Sequence, residues 1–147
     1  MKSGKTPKVT IRVYGPKDYN DVRQNLEEGG LFYEEMDAEK RLNEKIRRNP
    51  GSIFVAEVDG KVVGNVLLVE DGWGAFVFRL AVKKEYRNRG IGMQLMKSAE
   101  EALRIKGYSE VHILVDEKET DLKEYYAKIG YKQGNLYRWM YKDLKMV

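Results

Sequence analysis

The chain has 147 residues, a net charge of +4, and 42% hydrophobic against 34% charged residues. That is enough chain for one hydrophobic core, too apolar for a disordered chain, and too interrupted for a membrane helix, which needs about 20 consecutive apolar residues. The absence of cysteine excludes disulfides, thiolate nucleophiles and Cys-ligated metals.

Met1 to Lys8 is basic and polar and leads into no apolar run, so a signal peptide is not expected and the expected location is the cytoplasm. Residues 1–7 read as a disordered lead. Val9 to Tyr14 alternates apolar and polar residues, which predicts a first strand. Gly15-Pro16 breaks it, and Pro16 suits the first turn of a helix running to about Glu28, closed by Gly29-Gly30. Leu31 to Met36 is an aromatic and acidic connector, and Asp37 reads as the N-cap of a helix from Ala38 to about Arg48. Ser52–Val58, Lys61–Val69 and Trp73–Val82 follow as strands, with Asp59-Gly60 and Asp71-Gly72 as turns, and together predict an antiparallel meander.

The period then changes. Ile91, Leu95, Ala99 and Leu103 form one stripe of a helix over Gly90–Lys106, ended by Gly107. Val111–Val115 reads as a short buried strand. Leu122, Tyr125, Tyr126 and Ile129 have helical spacing, and Tyr131–Leu144 reads as one or two last strands turning at Gln133-Gly134-Asn135. The order predicts one α/β domain over residues 1–147 with a mixed sheet.

The segment Leu80 to Gly92, LAVKKEYRNRGIG, carries the chemistry. A strand ends, a basic and glycine-rich turn follows, and a helix begins. Helix N-termini present N–H groups without intrahelical acceptors and a partial positive charge. Arg87 and Arg89 add donors suited to phosphate oxygens, so the segment reads as a diphosphate site. It lacks the Lys-Ser/Thr of a Walker A loop, and Leu95 stands where a dinucleotide fingerprint needs glycine.

Arg87-x-x-Gly90-x-Gly92 resembles the acetyl-CoA pyrophosphate motif of the GNAT superfamily of N-acetyltransferases, and Tyr126-Ala-Lys-Ile-Gly-Tyr131 resembles that family's Tyr-x-Lys-Leu-Gly-Phe segment. The resemblance is strongest from Trp73 to Tyr131. It implies a mixed, mostly antiparallel, splayed sheet flanked by helices, and acetyl-CoA as cosubstrate. It also implies that the backbone of Leu80, Ala81 and Val82 holds the pantetheine arm, and that Arg87, Asn88, Arg89, Gly90, Ile91, Gly92 and Met93 cradle the pyrophosphate. Tyr126 falls where the family often places the general acid that protonates the departing thiolate. Departures are the absence of an Asn in Glu119–Leu122 and of a carboxylate base between Trp73 and Val82, where Arg79 is the only charged residue.

Blander readings stand beside these. Tyr126 and its stripe fit core packing, and Tyr125 would exchange with it under a one-residue change of helix phase. Lys83, Lys84, Arg87 and Arg89 fit a solvated face or a nucleic-acid contact, but no stacking platform or recognition helix accompanies them. His112 is the only histidine, and no cluster at metal spacing is present, so no metal is expected. In the resembled fold the connector Phe32–Asp37 borders the acceptor site, so Tyr33, Glu34 and Glu35 are candidate contacts for a cationic amine, whether small molecule, peptide or protein. A homodimer through the late strands, an acyl-CoA-sensing module without turnover, and a nucleic-acid-binding protein are the remaining readings; no membrane partner is expected.

Overall fold

The structure, a computed structural model, describes residues 7–145. The disordered lead expected over 1–7 lies, but for Pro7, outside the described residues. The chain falls into two compact units divided between Leu114 and Val115.

In the first unit, strands β1 (Thr10–Val13), β2 (Ile53–Val58), β3 (Lys61–Glu70) and β4 (Ala75–Val82) form one antiparallel sheet in that order. The turns sit where the sequence supplies residues that tolerate left-handed backbone. Asp59 (φ 51°) and Gly60 (φ 77°) join β2 to β3, and Gly72 (φ 92°) begins the return into β4.

Strand β3 is buried from Val62 through Leu68 without alternation, so it needs cover on both faces. Helix α1 (Tyr19–Glu28), entered through a 3-10 turn at Pro16–Asp18, covers one face. Helix α4 (Ile91–Ile105) covers the other. Successive residues show the division. A Cβ on Gly64 would lie 3.1 Å from Leu95 Cδ1 of α4 and 3.1 Å from the Ala81 carbonyl. Asn65, next in line, accepts a 3.1 Å hydrogen bond from Asn25 of α1. Val22 and Leu26 on one side, and Leu95, Met96, Ala99 and Leu103 on the other, are fully or almost fully buried. Helix α3 (Glu39–Arg48) adds Leu42 to a core of Tyr14, Tyr19, Leu26, Ile53 and Val55.

Three expectations are corrected. Asp37 is not the cap of α3. It ends a one-turn helix, α2 (Glu34–Asp37), formed by the expected connector, and Ala38 stands at the N-cap. The Asp37 carboxylate is buried and paired with Arg79 instead, a stronger charge-assisted contact than a surface cap bond. The buried strand expected over Val111–Val115 reduces to a single parallel bridge from His112 to Phe76, with His112 N–H to Ala75 O and Val77 N–H to His112 O both at 3.0 Å. Leu114, which would stand opposite Phe78, is exposed, and the next outward N–H donor on β4 would be that of Arg79, where the backbone turns left-handed.

The second unit holds α5 (Thr120–Lys128), closed by Gly130 at φ 102°. The last strands expected over Tyr131–Leu144 are not formed among the described residues. A run of aromatic residues beside a turn does not specify a ladder partner, and without one an isolated strand is not stable. Tyr137, Trp139, Met140 and Tyr141 are exposed there.

Glu70, at the end of β3, ties α3 and α4 to the sheet. Its carboxylate accepts from Lys106 Nζ at 2.8 Å, Tyr108 OH at 2.8 Å and Asn49 Nδ2 at 2.7 Å. Lys106 foremost, then Tyr108, hold its pKa down at about 2. An unfolded glutamate takes up its proton near pH 4.3. This contribution is therefore full above that pH and is lost as pH falls toward about 2. Glu70→Gln is expected to lower unfolding free energy by about 1–2 kcal/mol at pH 7, a figure discounted for the partly exposed Lys106. Urea melts should show the gap between variant and parent closing as pH drops below the ordinary carboxylate range.

Candidate active site

The site begins with an extra residue in β4. Asn65 stands opposite Ala81, but two residues further along β3 Leu67 stands opposite Phe78, so β4 carries one residue more than its partner. The excess falls at Arg79, which adopts φ 60°, a conformation uncommon for a side chain of this size. The backbone is held on one side by Asn65 Nδ2, which donates to the Arg79 carbonyl at 2.9 Å while Asn25 Nδ2 donates to Asn65 Oδ1. On the other side the guanidinium meets buried Asp37: Nε lies 3.2 and 3.1 Å from the two carboxylate oxygens and Nη2 lies 3.1 Å from Oδ2. Asp37 also accepts the Tyr33 N–H at 2.9 Å, and Tyr19 OH donates to its carbonyl at 3.0 Å.

The extra residue reverses the direction of the backbone groups that follow. Before it, Val77 donates outward to His112. After it, Lys83 N–H donates inward to Val63 O at 2.8 Å, so by alternation the Leu80 and Val82 backbone groups face away from β3. They have no backbone partner among the described residues. This leaves a short open edge at the end of β4 on which an extended ligand can bond as a further strand.

The turn after β4 is anchored by α1. Lys83 is buried, with Nζ 3.0 Å from Gln24 Oε1, and the Lys84 N–H donates to Glu28 Oε1 at 2.8 Å. A 3-10 turn over Lys84–Tyr86 leads to Arg87, whose Nε donates to the Val82 carbonyl at 2.8 Å. Asn88 (φ 63°) and Gly90 (φ 80°) both take left-handed backbone and bring the chain round to α4. The first intrahelical bond of α4 runs from Gln94 N–H to Gly90 O at 3.0 Å. The N–H groups of Ile91, Gly92 and Met93 precede it and are left for a ligand. Arg89 rests its guanidinium 5.4 Å from the Tyr86 ring centre. Helix dipole, three open N–H groups and two exposed arginines converge, the chemistry that a diphosphate requires.

Of the residues singled out from sequence, Leu80, Ala81, Val82 and the run Arg87–Met93 thus form one continuous edge and turn. Arg87 commits Nε to Val82 and keeps its Nη groups for an anion. Tyr33, Glu34 and Glu35 are exposed, on and beside α2, which the Asp37–Arg79 pair fastens to β4. Tyr126 lies on α5 in the second unit, its ring edge-on to Tyr125 at 5.2 Å and to Tyr131 at 5.6 Å. Burial, then the neighbouring Tyr125, pushes its phenol up to about 12. Among the described residues no group of His, Asp and Glu has the geometry to hold a metal. Sequence reasoning missed Asp37, Asn65 and Lys83 as supports. The available signal was Arg79 itself, a lone charge on a strand that must be buried on at least one face.

The chain resembles known proteins over most of its length. A sequence profile of the acetyltransferase (GNAT) family matches residues 19–131. An acetyltransferase of Pectobacterium atrosepticum is 30% identical over 124 residues, 84% of this chain and 88% of that protein. Ard1 from Thermoplasma volcanium superposes with a TM-score of 0.76 at 24% identity, over 86% of this chain and 84% of the other. The PaiA N-acetyltransferase from Thermoplasma acidophilum, solved in complex with coenzyme A, gives 0.76 at 22% identity, over 85% and 90%.

Asn65→Ala removes the donor that holds the Arg79 carbonyl and strips Asn25 of a buried partner. Urea unfolding should show a loss of roughly 1–3 kcal/mol, the cost of buried polar groups left unpaired.

Proposed function

We propose that this chain, which belongs to the acetyltransferase (GNAT) family, carries an acetyl group from acetyl-CoA to a primary amine in a direct ternary complex. The observation that carries the proposal is the open β4 edge running straight into the uncommitted N–H groups of α4. An acyl-CoA has the matching order of parts: an amide-bearing arm that pairs with a strand edge, then a diphosphate. Leu80, Ala81 and Val82 hold the arm, while Arg87 to Met93 hold the pyrophosphate. The family match spans both compact units, which supports reading the chain as one domain. No helix among the described residues is long and apolar enough to cross a membrane, and with no cysteine in the chain we read the enzyme as cytoplasmic.

In the transfer, the neutral amine nitrogen forms a bond to the acyl carbon as the carbon–sulfur bond breaks. The Val82 N–H, turned to the open edge, donates to the negative charge developing on the acyl oxygen, a contribution of about 3 kcal/mol for a preorganised donor. The resemblance of Tyr126-Ala-Lys-Ile-Gly-Tyr131 to the family's segment supports assigning Tyr126 the proton that the departing sulfur takes up. The raised pKa of Tyr126 suits that role, since the phenol is fully protonated at neutral pH and is available as an acid rather than a base. No carboxylate of β4 removes the proton from the amine. Asp37 reaches the strand, but it is buried and committed to Arg79, so that proton leaves to solvent. Glu34 and Glu35, exposed beside Tyr33, draw a cationic acceptor.

Calorimetric titration with acetyl-CoA tests the cofactor site without any choice of acceptor. The parent is expected to bind at micromolar Kd, and Gly92→Glu to lose at least a hundredfold. A glutamate in the first turn favours the helix but repels phosphate, so the variant remains folded. A folded parent that binds no acetyl-CoA sinks the proposal. Binding without acetyl transfer to any of a panel of amines would leave an acyl-CoA sensor, the reading that the absent strand carboxylate favours. Given turnover, Tyr126→Phe should lower kcat by about 10²–10⁴ with acetyl-CoA affinity unchanged.

A further inference from the structure

Part of the Arg79 guanidinium is unused. Nε and Nη2 face Asp37, and Nη2 also lies 3.9 Å from the Met36 sulfur. Nη1, with two N–H donors, has no partner among the described residues. The side chain as a whole is 18% exposed, so it is partly shielded from bulk water and not sealed off. Asp37 balances the charge, and what is left over is a directed pair of donors rather than a free cation. Such a group selects a carbonyl or carboxylate oxygen. It also rejects a second ammonium, because it has nothing to accept with.

The position of Arg79 gives those donors a role. It immediately precedes Leu80 to Val82, the edge along which the acyl-bearing arm lies, and its left-handed backbone is fixed from both sides. On the acetyl-transfer reading this edge carries the thioester, and Arg79 is the one charged residue of β4 beside it. We infer that Arg79 Nη1 anchors the acceptor through an oxygen carried close to the amine, so that the acceptor is an amino acid or the amine of a peptide, and not an oxygen-free polyamine. This rests on the acetyl-transfer reading, with Arg79 as a specificity-determining residue at the same site. Glu34 then meets a cationic side chain of the same molecule.

Three ligands of matched cationic character separate the possibilities: free lysine, which carries a carboxylate; glycyl-lysinamide, which carries carbonyls; and cadaverine, which is lysine without its carboxylate. Each is titrated calorimetrically into the protein with CoA bound and again without it, so that no turnover is needed. The wild-type protein is expected to bind lysine or the dipeptide about tenfold or more tightly than cadaverine, the range of one charge-assisted hydrogen bond. Whichever of the two binds tighter identifies carboxylate or carbonyl as the partner. Arg79→Lys should abolish the advantage, leaving cadaverine within twofold of the two oxygen-bearing ligands, in the titrations with CoA and in those without it. Cadaverine binding as tightly as both oxygen-bearing ligands overturns the inference, and this comparison stands on the wild type even if the variant does not fold. Equal weakening of all three ligands in Arg79→Lys overturns it too, by showing that Arg79 only supports the fold. Failure of CoA to bind is a separate result that removes the acetyl-transfer reading, while the titrations without CoA still report the oxygen preference.

Discussion

The site depends on one strand residue held at positive φ. A non-glycine residue in that region costs on the order of 1–3 kcal/mol and persists only when its surroundings determine it completely. Here they do. Asn65 takes the Arg79 carbonyl from inside the sheet, and Asp37 takes the guanidinium from the side of α2. The charge-assisted bonds to a buried carboxylate offset the strain. Without the extra residue, β4 would continue the alternation set at Val77, and Leu80 and Val82 would use their backbone groups on β3. The open edge is therefore a product of the clamp.

Helix α1 unites the parts of the site. Its apolar residues Val22 and Leu26 face the core, but a polar ridge runs along it at Asp21, Gln24, Asn25 and Glu28, the spacing of one helical face. Each of these residues reaches a backbone or polar group of the sheet or of the turn that follows it. Asp21 accepts the Val62 N–H at 3.1 Å, Asn25 bonds Asn65, and Gln24 and Glu28 hold Lys83 and Lys84 at the entrance to the turn. One rigid element thus sets the bulge and the turn together. The connector that follows α1 brings Asp37 back onto the same strand.

The features legible in the sequence are those with a local cause. The turns at Asp59-Gly60 and Gly72 need left-handed backbone, and the residues that tolerate it mark them. The helix start at Gly90–Ile91 needs a break in strand alternation followed by a 3.6-residue stripe, and both are written in Leu80 to Leu103. The bulge at Arg79 has no local mark, because it is imposed by Asn65 and Asp37, partners far away in sequence. Asp37 was misread for the same reason: an aspartate ahead of a helix has the form of an N-cap, and only the fold reveals a guanidinium within reach. Tyr131 to Leu144 reads as strands from its aromatic runs about the turn at Gln133-Gly134-Asn135, but such runs do not supply the neighbour that a ladder requires.

An unpaired stretch of strand edge is also a surface on which two copies of a protein can zip together. Lys84, Arg87 and Arg89 stand exposed where this edge ends, and their mutual repulsion opposes that association. On the proposed acyl-CoA reading, the ligand arm along this edge would perform the same service more fully, acting as a strand the chain does not encode. Since it binds only the folded form, a concentration one hundred times its Kd adds about 2.7 kcal/mol to the unfolding free energy. On that reading the empty protein, with its edge unfilled, would be more exposed to aggregation than the loaded one.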